Sequence, residues 1–205
     1  MKKTLQHLKW IILVFPLFLN NSCGKGSMDF PPGTCLFCYP PCTTCPVYNI
    51  GDNALGGKVA YIFQPGEPGW TGERQTGIIV SISDLNTGTD WGCVGTSIYG
   101  ADSTAICTGN KNTTVITAGC SASGIAARIC DDLDLSGYHD WYLPSKDELN
   151  KIYENKAIIG GFGNNTYWSS SQSSNNNAWS QNFSNGIQNS SSKNTKYYVR
   201  AVRTY

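Results

Sequence analysis

Apolar and polar positions alternate differently in four parts of the chain. Residues 58–64 (K-V-A-Y-I-F-Q) and 77–82 (G-I-I-V-S-I) are short, β-branched and aromatic, with Pro and Gly between them, which predicts two strands of one sheet. Residues 84–119 show no clear period and read as loop. A helix is expected over about 123–133, where Ile125, Ile129 and Leu133 recur on one face. A second helix has a start signal. Ser145 and Glu148 in P-S-K-D-E form an S-x-x-E capping box, followed by Leu149, Ile152 and Tyr153 as a buried stripe. That gives Asp147 and Glu148 a structural role at the positive helix start, so they are not paired as catalytic acids. The last residues, 197–205 (Y-Y-V-R-A-V-R-T-Y), predict a strand that pairs back beside an early one.

Between these, residues 164–198 consist mostly of Asn, Ser and Tyr, interrupted by Trp168, Trp179 and Phe183. A low-complexity tract would lack such anchors. Short strands and turns on a core fit better, with the three aromatic residues mostly buried and the polar side chains outside.

The amino-terminal pattern differs again. Lys2, Lys3 and Lys9 accompany an apolar run from Trp10 to Leu19, too short to span a bilayer and of signal-peptide length. It ends at N-N-S-C, where Ser22-Cys23 resembles a bacterial lipobox, although Leu19 stands one position further out than usual. Residues 1–22 are therefore expected to be a lipoprotein signal peptide, with Cys23 the acylated first mature residue. Export to an outer membrane or cell surface and a membrane partner reached through the lipid follow from it. Residues 23–46, rich in Gly, Pro and Cys, read as a spacer, and 47–205 as the folded domain.

Composition narrows the function. The 205 residues carry a formal net charge of +1, so no basic surface for nucleic acid is expected. Hydrophobic residues at 40% and aromatic residues at 12% suffice for a core. Setting Cys23 aside from the nine cysteines leaves eight. Cys35, Cys38, Cys42 and Cys45 cluster tightly, and Cys93, Cys107, Cys120 and Cys130 are spread through the domain. Two C-x-x-C units offer four thiolates to zinc, but only three residues separate them, and an oxidising compartment favours disulfides. All eight are disulfide candidates. For the later four, three pairings are open. No metal and no cofactor are expected.

Catalysis finds little support. After export His139 would be the one remaining histidine, and it reads as a turn residue. The stretch Gly95 to Gly100 (G-T-S-I-Y-G) has one residue too many for a G-x-S-x-G nucleophile elbow. Gly160-Gly161-Phe162-Gly163 follows a helix, whereas phosphate-cradling loops precede one. Tyr, Ser, Asn and Gly instead dominate adaptable contact surfaces. Ser171, Ser173, Ser174, Asn175, Asn176, Asn177, Ser180, Asn182, Asn189, Ser191 and Asn194 are the candidate ligand-binding residues, directed at a glycan or protein on a host or neighbouring cell. A structural envelope lipoprotein with no specific ligand is the competing reading.

Several motifs together resemble a known family. They are Y-N-I-G-D (48–52), G-I-I-V-S (77–81), D-W-Y-L-P-S-K-D-E-L (140–149), Y-W-S-S-S (167–171), A-W-S-Q-N-F-S-N-G (178–186) and V-R-A-V-R (199–203). In this order they resemble the Lcl C-terminal domain family, over about residues 48–205. The resemblance implies an α+β, C-type lectin-like domain with two helices and a twisted, mostly antiparallel sheet. It further implies an exported, adhesin-like and non-catalytic role. Related variable proteins of diversity-generating retroelements change Asn codons near the carboxyl end, and the Asn/Ser/Tyr wealth of 164–198 matches such a product. A remote cousin, the formylglycine-generating enzyme, uses a reactive cysteine pair for which no motif is present here. The E-P-N, Q-P-D and W-N-D motifs of calcium-dependent lectins are also missing, as is a collagen-like repeat.

Overall fold

The computed structural model describes residues 46–205. The signal-peptide and lipidation readings, Cys23, nearly all of the spacer and Cys35, Cys38, Cys42 and Cys45 lie outside the described residues.

The chain forms nine strands and three helices in the described region: β1 (Asn53–Ala54), β2 (Gly57–Ile62), β3 (Gly77–Val80), β4 (Asn86–Thr89), α1 (Gly109–Gly119), α2 (Ala126–Asp131), α3 (Lys146–Ile159), β5 (Thr166–Gln172), β6 (Asn177–Asn182), β7 (Gln188–Ser192), β8 (Tyr197–Val199) and β9 (Val202–Thr204). Two sheets result, ordered β1-β2-β3-β9 and β4-β8-β5-β6-β7. All pairings are antiparallel except β5 with β8. The architecture is thus α+β with three helices and two antiparallel-rich sheets, where two helices and one sheet were expected.

The first sheet is covered on both faces, which explains its nearly continuous apolar strands. Val59 and Ile79 pack with Trp91, Ile116, Trp141, Leu143 and Trp168. Ala60, Ile78 and Val80 pack with Leu149, Ile152, Tyr167 and Phe183. The expected strands at 58–64 and 77–82 are β2 and β3. The carboxyl-terminal strand does return, as β9 antiparallel to β3.

It does not run unbroken through 197–205. β8 belongs to the second sheet and β9 to the first, and the chain changes sheets at Arg200 and Ala201. Arg200 turns inward there and is almost fully buried. Its guanidinium donates to the carbonyls of Ser81, Ile82 and Gly161 and pairs with Asp84 at 2.8 Å. A buried cation so thoroughly paired fixes the crossover, because leaving it unpaired would be far costlier than forming it. Arg203 similarly clamps Asp140 through two contacts, 2.6 and 2.9 Å.

α3 starts as expected. The Ser145 hydroxyl accepts from Glu148 N, and the Glu148 carboxylate accepts from Ser145 N at 2.7 Å. The first expected helix is shorter, with Ile125 capping α2 and Leu133 beyond its end. α1 lies within the stretch read as loop. Its sequence, G-N-K-N-T-T-V-I-T-A-G, is poor in helix formers. Tertiary contacts stabilise it: the Asn112 amide donates to Ser103 O, and Thr113 bonds the Leu143 backbone. Gly109 opens this helix against α3, where a Cβ would collide with the Glu148 carboxylate.

Cys93 is bonded to Cys120. Cys107 is also disulfide-bonded, to none of the other described cysteines. Cys130, a disulfide candidate in the sequence, is a free thiol. It sits on the buried side of α2 within the core, where burial raises its pKa and packing is its role. Among the described residues no helix is long and apolar enough to cross a membrane.

Candidate functional site

The β5–β6 hairpin ends in a tip at Ser173, Ser174, Asn175 and Asn176, all exposed. Ser173 N and Ser174 N both donate to Asn177 O, and the Ser174 hydroxyl accepts from Asn176 N and Asn177 N. Backbone and one hydroxyl thus shape the turn. The Asn175 and Asn176 amides are left facing solvent, with donors and acceptors available.

A second loop lies against this tip. It runs from Gly92 to Gly100 and is joined to Cys120, after α1, by the Cys93 disulfide. Gly95 N donates to Asn175 O at 3.1 Å, and Ile98 N donates to Gln172 Oε1 at 2.9 Å. Lys193 is 0% exposed, and its ammonium bonds both Thr96 O and Gln172 Oε1 at 2.8 Å. Its charge also sits 4.4 Å above the Trp91 ring. Burial lowers the Lys193 pKa to about 8. Held at several points, the loop points Tyr99 outward, 98% exposed, with Val94 exposed nearby.

The third part of the surface is the edge strand β7. Asn189, Ser190, Ser192 and, just beyond the strand, Asn194 are exposed, while Asn177, Asn182 and Ser191 are half-buried. Ser190 and Ser173 share a hydrogen bond of 2.6 Å between hydroxyls, linking edge and tip. Asn182 shapes the β6–β7 turn, since its Oδ1 accepts from the backbone and hydroxyl of Ser184. Asn194 Oδ1 accepts from Ser192 Oγ.

Two candidate ligand residues point inward. Ser171 is 0% exposed; its hydroxyl donates to Ser103 O at 2.7 Å and accepts from Lys146 N at 3.0 Å. Ser180 is buried beside Ser191, 2.9 Å between hydroxyls. Both hydroxyls serve backbone or neighbouring side chains, so neither is available to a ligand. Trp168 and Phe183 are buried as expected. Trp179 is half-buried instead, because it stands on the outer side of β6 with the Lys146 ammonium 3.9 Å over its ring.

Sequence reasoning missed Tyr99, Val94 and the buried Lys193. Within the loop of Val94 and Tyr99, Gly95 to Gly100 was weighed only as a nucleophile elbow. Its glycines and Cys93 are the signal of a constrained turn.

His139 is exposed, 3.8 Å from Asp134. Among the described residues Glu148 is the one acid strongly displaced toward neutral pH, to about 7; burial raises it, and hydrogen bonds from Ser145, Cys107 and Tyr142 partly offset this. It is buried in the first turn of α3, where it completes the helix cap. Among the described residues no group of His, Cys, Asp and Glu is placed to hold a metal.

Two antiparallel-rich sheets and three helices, with a cross-linked loop against a hairpin tip, define an α+β domain. The chain belongs to the Lcl C-terminal domain family, whose pattern it matches over residues 81–203. Among solved structures it is similar to a fimbrial protein from Bacteroides ovatus, with a TM-score of 0.51 and 16% sequence identity. That match covers 73% of this chain and 44% of the fimbrial protein, so the chain accounts for under half of that protein's length. The comparison with curated proteins finds no match.

Proposed function

We propose that this is an exported, lipid-anchored, non-catalytic binding protein that recognises a glycan or protein ligand, in an adhesin-like role. Its family and the fimbrial protein of similar fold are consistent with such a surface role. The contact surface combines Ser173, Ser174, Asn175 and Asn176 at the tip, Asn189 and Asn194 on the edge, and Tyr99 on the adjoining loop. Asn177, Asn182 and Ser191 support it from half-buried positions. The carrying observation is the set of ties between the 92–100 loop and the hairpin. They fix an exposed aromatic ring and free amides in one arrangement, which lowers the ordering cost of binding.

In this reading the domain is a C-type lectin-like variant whose amide-rich tip is open to genetic diversification. Cys23 carries the lipid that holds it at the outer membrane or cell surface. Glycan arrays and pull-downs from neighbouring cells test binding, with Asn175→Ala/Asn176→Ala/Asn177→Ala and Tyr99→Ala as paired variants. The expected result is a ligand lost or weakened in both. A ligand retained in both would remove this surface as its site, and no ligand at all would favour the structural envelope role. Labelling with a palmitate analogue, abolished by Cys23→Ser, is the expected outcome for the anchor. For diversification, the flanking DNA should hold a reverse transcriptase and a near-copy of the 3′ end differing at adenines.

A further inference from the structure

The loop joining β2 to β3 borders an open depression of about 390 Å³, lined by Trp70, Gly72, Glu73, Arg74 and Gln64, all exposed, over the ends of both strands. That volume falls in the range of small-molecule sites, about 300–1,000 Å³. The loop lies before residue 81, outside the family match, and the depression is lined by none of the tip residues. It is a built structure. Glu67 accepts from the Tyr61 hydroxyl at 2.7 Å and from Gln64 N at 2.8 Å, and the Thr76 hydroxyl donates to Gly69 O at 2.8 Å. Gln75 exchanges two hydrogen bonds with the Tyr48 backbone.

On this frame Trp70 is 45% exposed, the most exposed of the described tryptophans. Gly72 keeps it open. A Cβ there would lie 3.2 Å from Cη2 of the indole, and the backbone φ of +75° suits glycine. Glu73 and Arg74 line the same depression and form no side-chain hydrogen bond or ion pair among the described residues. Gln64 spends its amide on Ile62 O, leaving its side-chain oxygen as an acceptor.

We propose that this depression is a binding site for a neutral pyranose, stacked on Trp70 with its hydroxyls bonded by Glu73, Arg74 and Gln64. Residues of opposite charge, Glu73 and Arg74, line the same depression, which disfavours both a purely anionic and a purely cationic ligand. A flat aromatic face ringed by donors and acceptors matches a molecule with a C–H face and a hydroxyl edge. The site is separate from the tip surface, and stands or falls independently of it.

The test is saturation-transfer NMR on the full-length protein in a non-glycosidic detergent. The probes are methyl α-D-glucopyranoside, methyl α-D-galactopyranoside, methyl α-D-mannopyranoside and N-acetyl-D-glucosamine, with D-glucuronate as the charged control. At least one neutral sugar should saturate with a Kd of about 1–10 mM, as expected for so few ligand atoms. Trp70→Ala and Gly72→Val should each weaken it by at least about tenfold. Both positions are exposed, so a thermal unfolding midpoint like that of the unaltered protein confirms that these variants fold; Arg74→Ala, which leaves the ring in place, should weaken binding also. The Asn175–177 triple alanine variant should bind the sugar normally. The proposal is overturned if none of the four neutral sugars saturates, if only glucuronate does, or if binding survives Trp70→Ala. Binding lost in the tip variant alone would overturn it equally.

Discussion

The central strands of the two sheets, β2 and β3 in one and β5 in the other, are enclosed by different chemistry. In the first, Val59, Ala60, Ile78, Ile79 and Val80 are buried through apolar contact on both faces. In the second, β5 reads T-Y-W-S-S-S-Q, yet residues 167–172 are all buried. There the hydroxyls and amides carry the burden: Ser169 donates to Trp179 O, Ser171 to Ser103 O, and Gln172 accepts from Ile98 N and Lys193. Buried polar groups are tolerated when each finds a partner. Composition alone therefore does not mark a surface. A serine four residues from an exposed asparagine can be sealed inside, and the pattern of bonds decides which.

The largest test of this contrast is Trp168→Ala. The ring is buried in the second sheet and its Nε1 donates to Thr89 O at 2.9 Å. Its removal should cost about 3–5 kcal/mol in denaturant unfolding, as much as or more than Ile79→Ala in the first sheet at about 2–5 kcal/mol. A markedly smaller loss would mean that the polar sheet does not depend on its aromatic anchors. Next, Cys93→Ser with Cys120→Ser opens a loop with a sequence separation of 27. The expected destabilisation is about 3–4 kcal/mol, with ligand binding reduced further than stability alone explains.

The polar layer also predicts a pH dependence. Glu148 is raised from 4.5 to about 7 in the folded protein. Its native form therefore holds a proton that the unfolded chain releases at lower pH. The sign follows: stability from this group is complete below pH 4.5 and is lost as pH rises through about 7. Unfolding midpoints at constant ionic strength should fall across that window. Glu148→Gln should flatten the fall and lower stability throughout, because one of the carboxylate's donors loses its acceptor. An unchanged slope in that variant would remove Glu148 as the cause.

The smallest effects separate sealed from displayed residues most sharply. Ser171→Ala leaves Lys146 N without its acceptor and Ser103 O with the Asn112 amide as its remaining donor, and should cost about 1–3 kcal/mol. Asn175→Ala and Asn176→Ala should change stability by no more than about 0.5 kcal/mol. Equal effects at the two places would erase the distinction between them.

Much of the framework was legible in the sequence. The capping box at Ser145 and Glu148, the apolar strands β2 and β3 and the return of the last strand follow from local pattern. What was not legible depends on partners distant in the chain. α1 is built from Thr, Asn and Gly and is held by contacts to Leu143 and Ser103. The split of the last strand depends on carbonyls of Ser81, Ile82 and Gly161 that only the fold brings to Arg200. The burial of Ser171 and the free state of Cys130 depend likewise on neighbours that no periodicity announces. The candidate surface was half legible: the hairpin tip follows from its Asn and Ser run, whereas Tyr99 gains its place through the disulfide and Lys193.

Residue-resolved amide hydrogen exchange is the most direct test of a rigidly presented tip. The amides of Gly95 and Ile98, which bond Asn175 O and Gln172 Oε1, should be protected nearly as well as those inside β5 and β6. That protection should collapse in Lys193→Met, while β2 and β3 remain protected. Free exchange at Gly95 and Ile98 in the unaltered protein would contradict a preorganised contact surface.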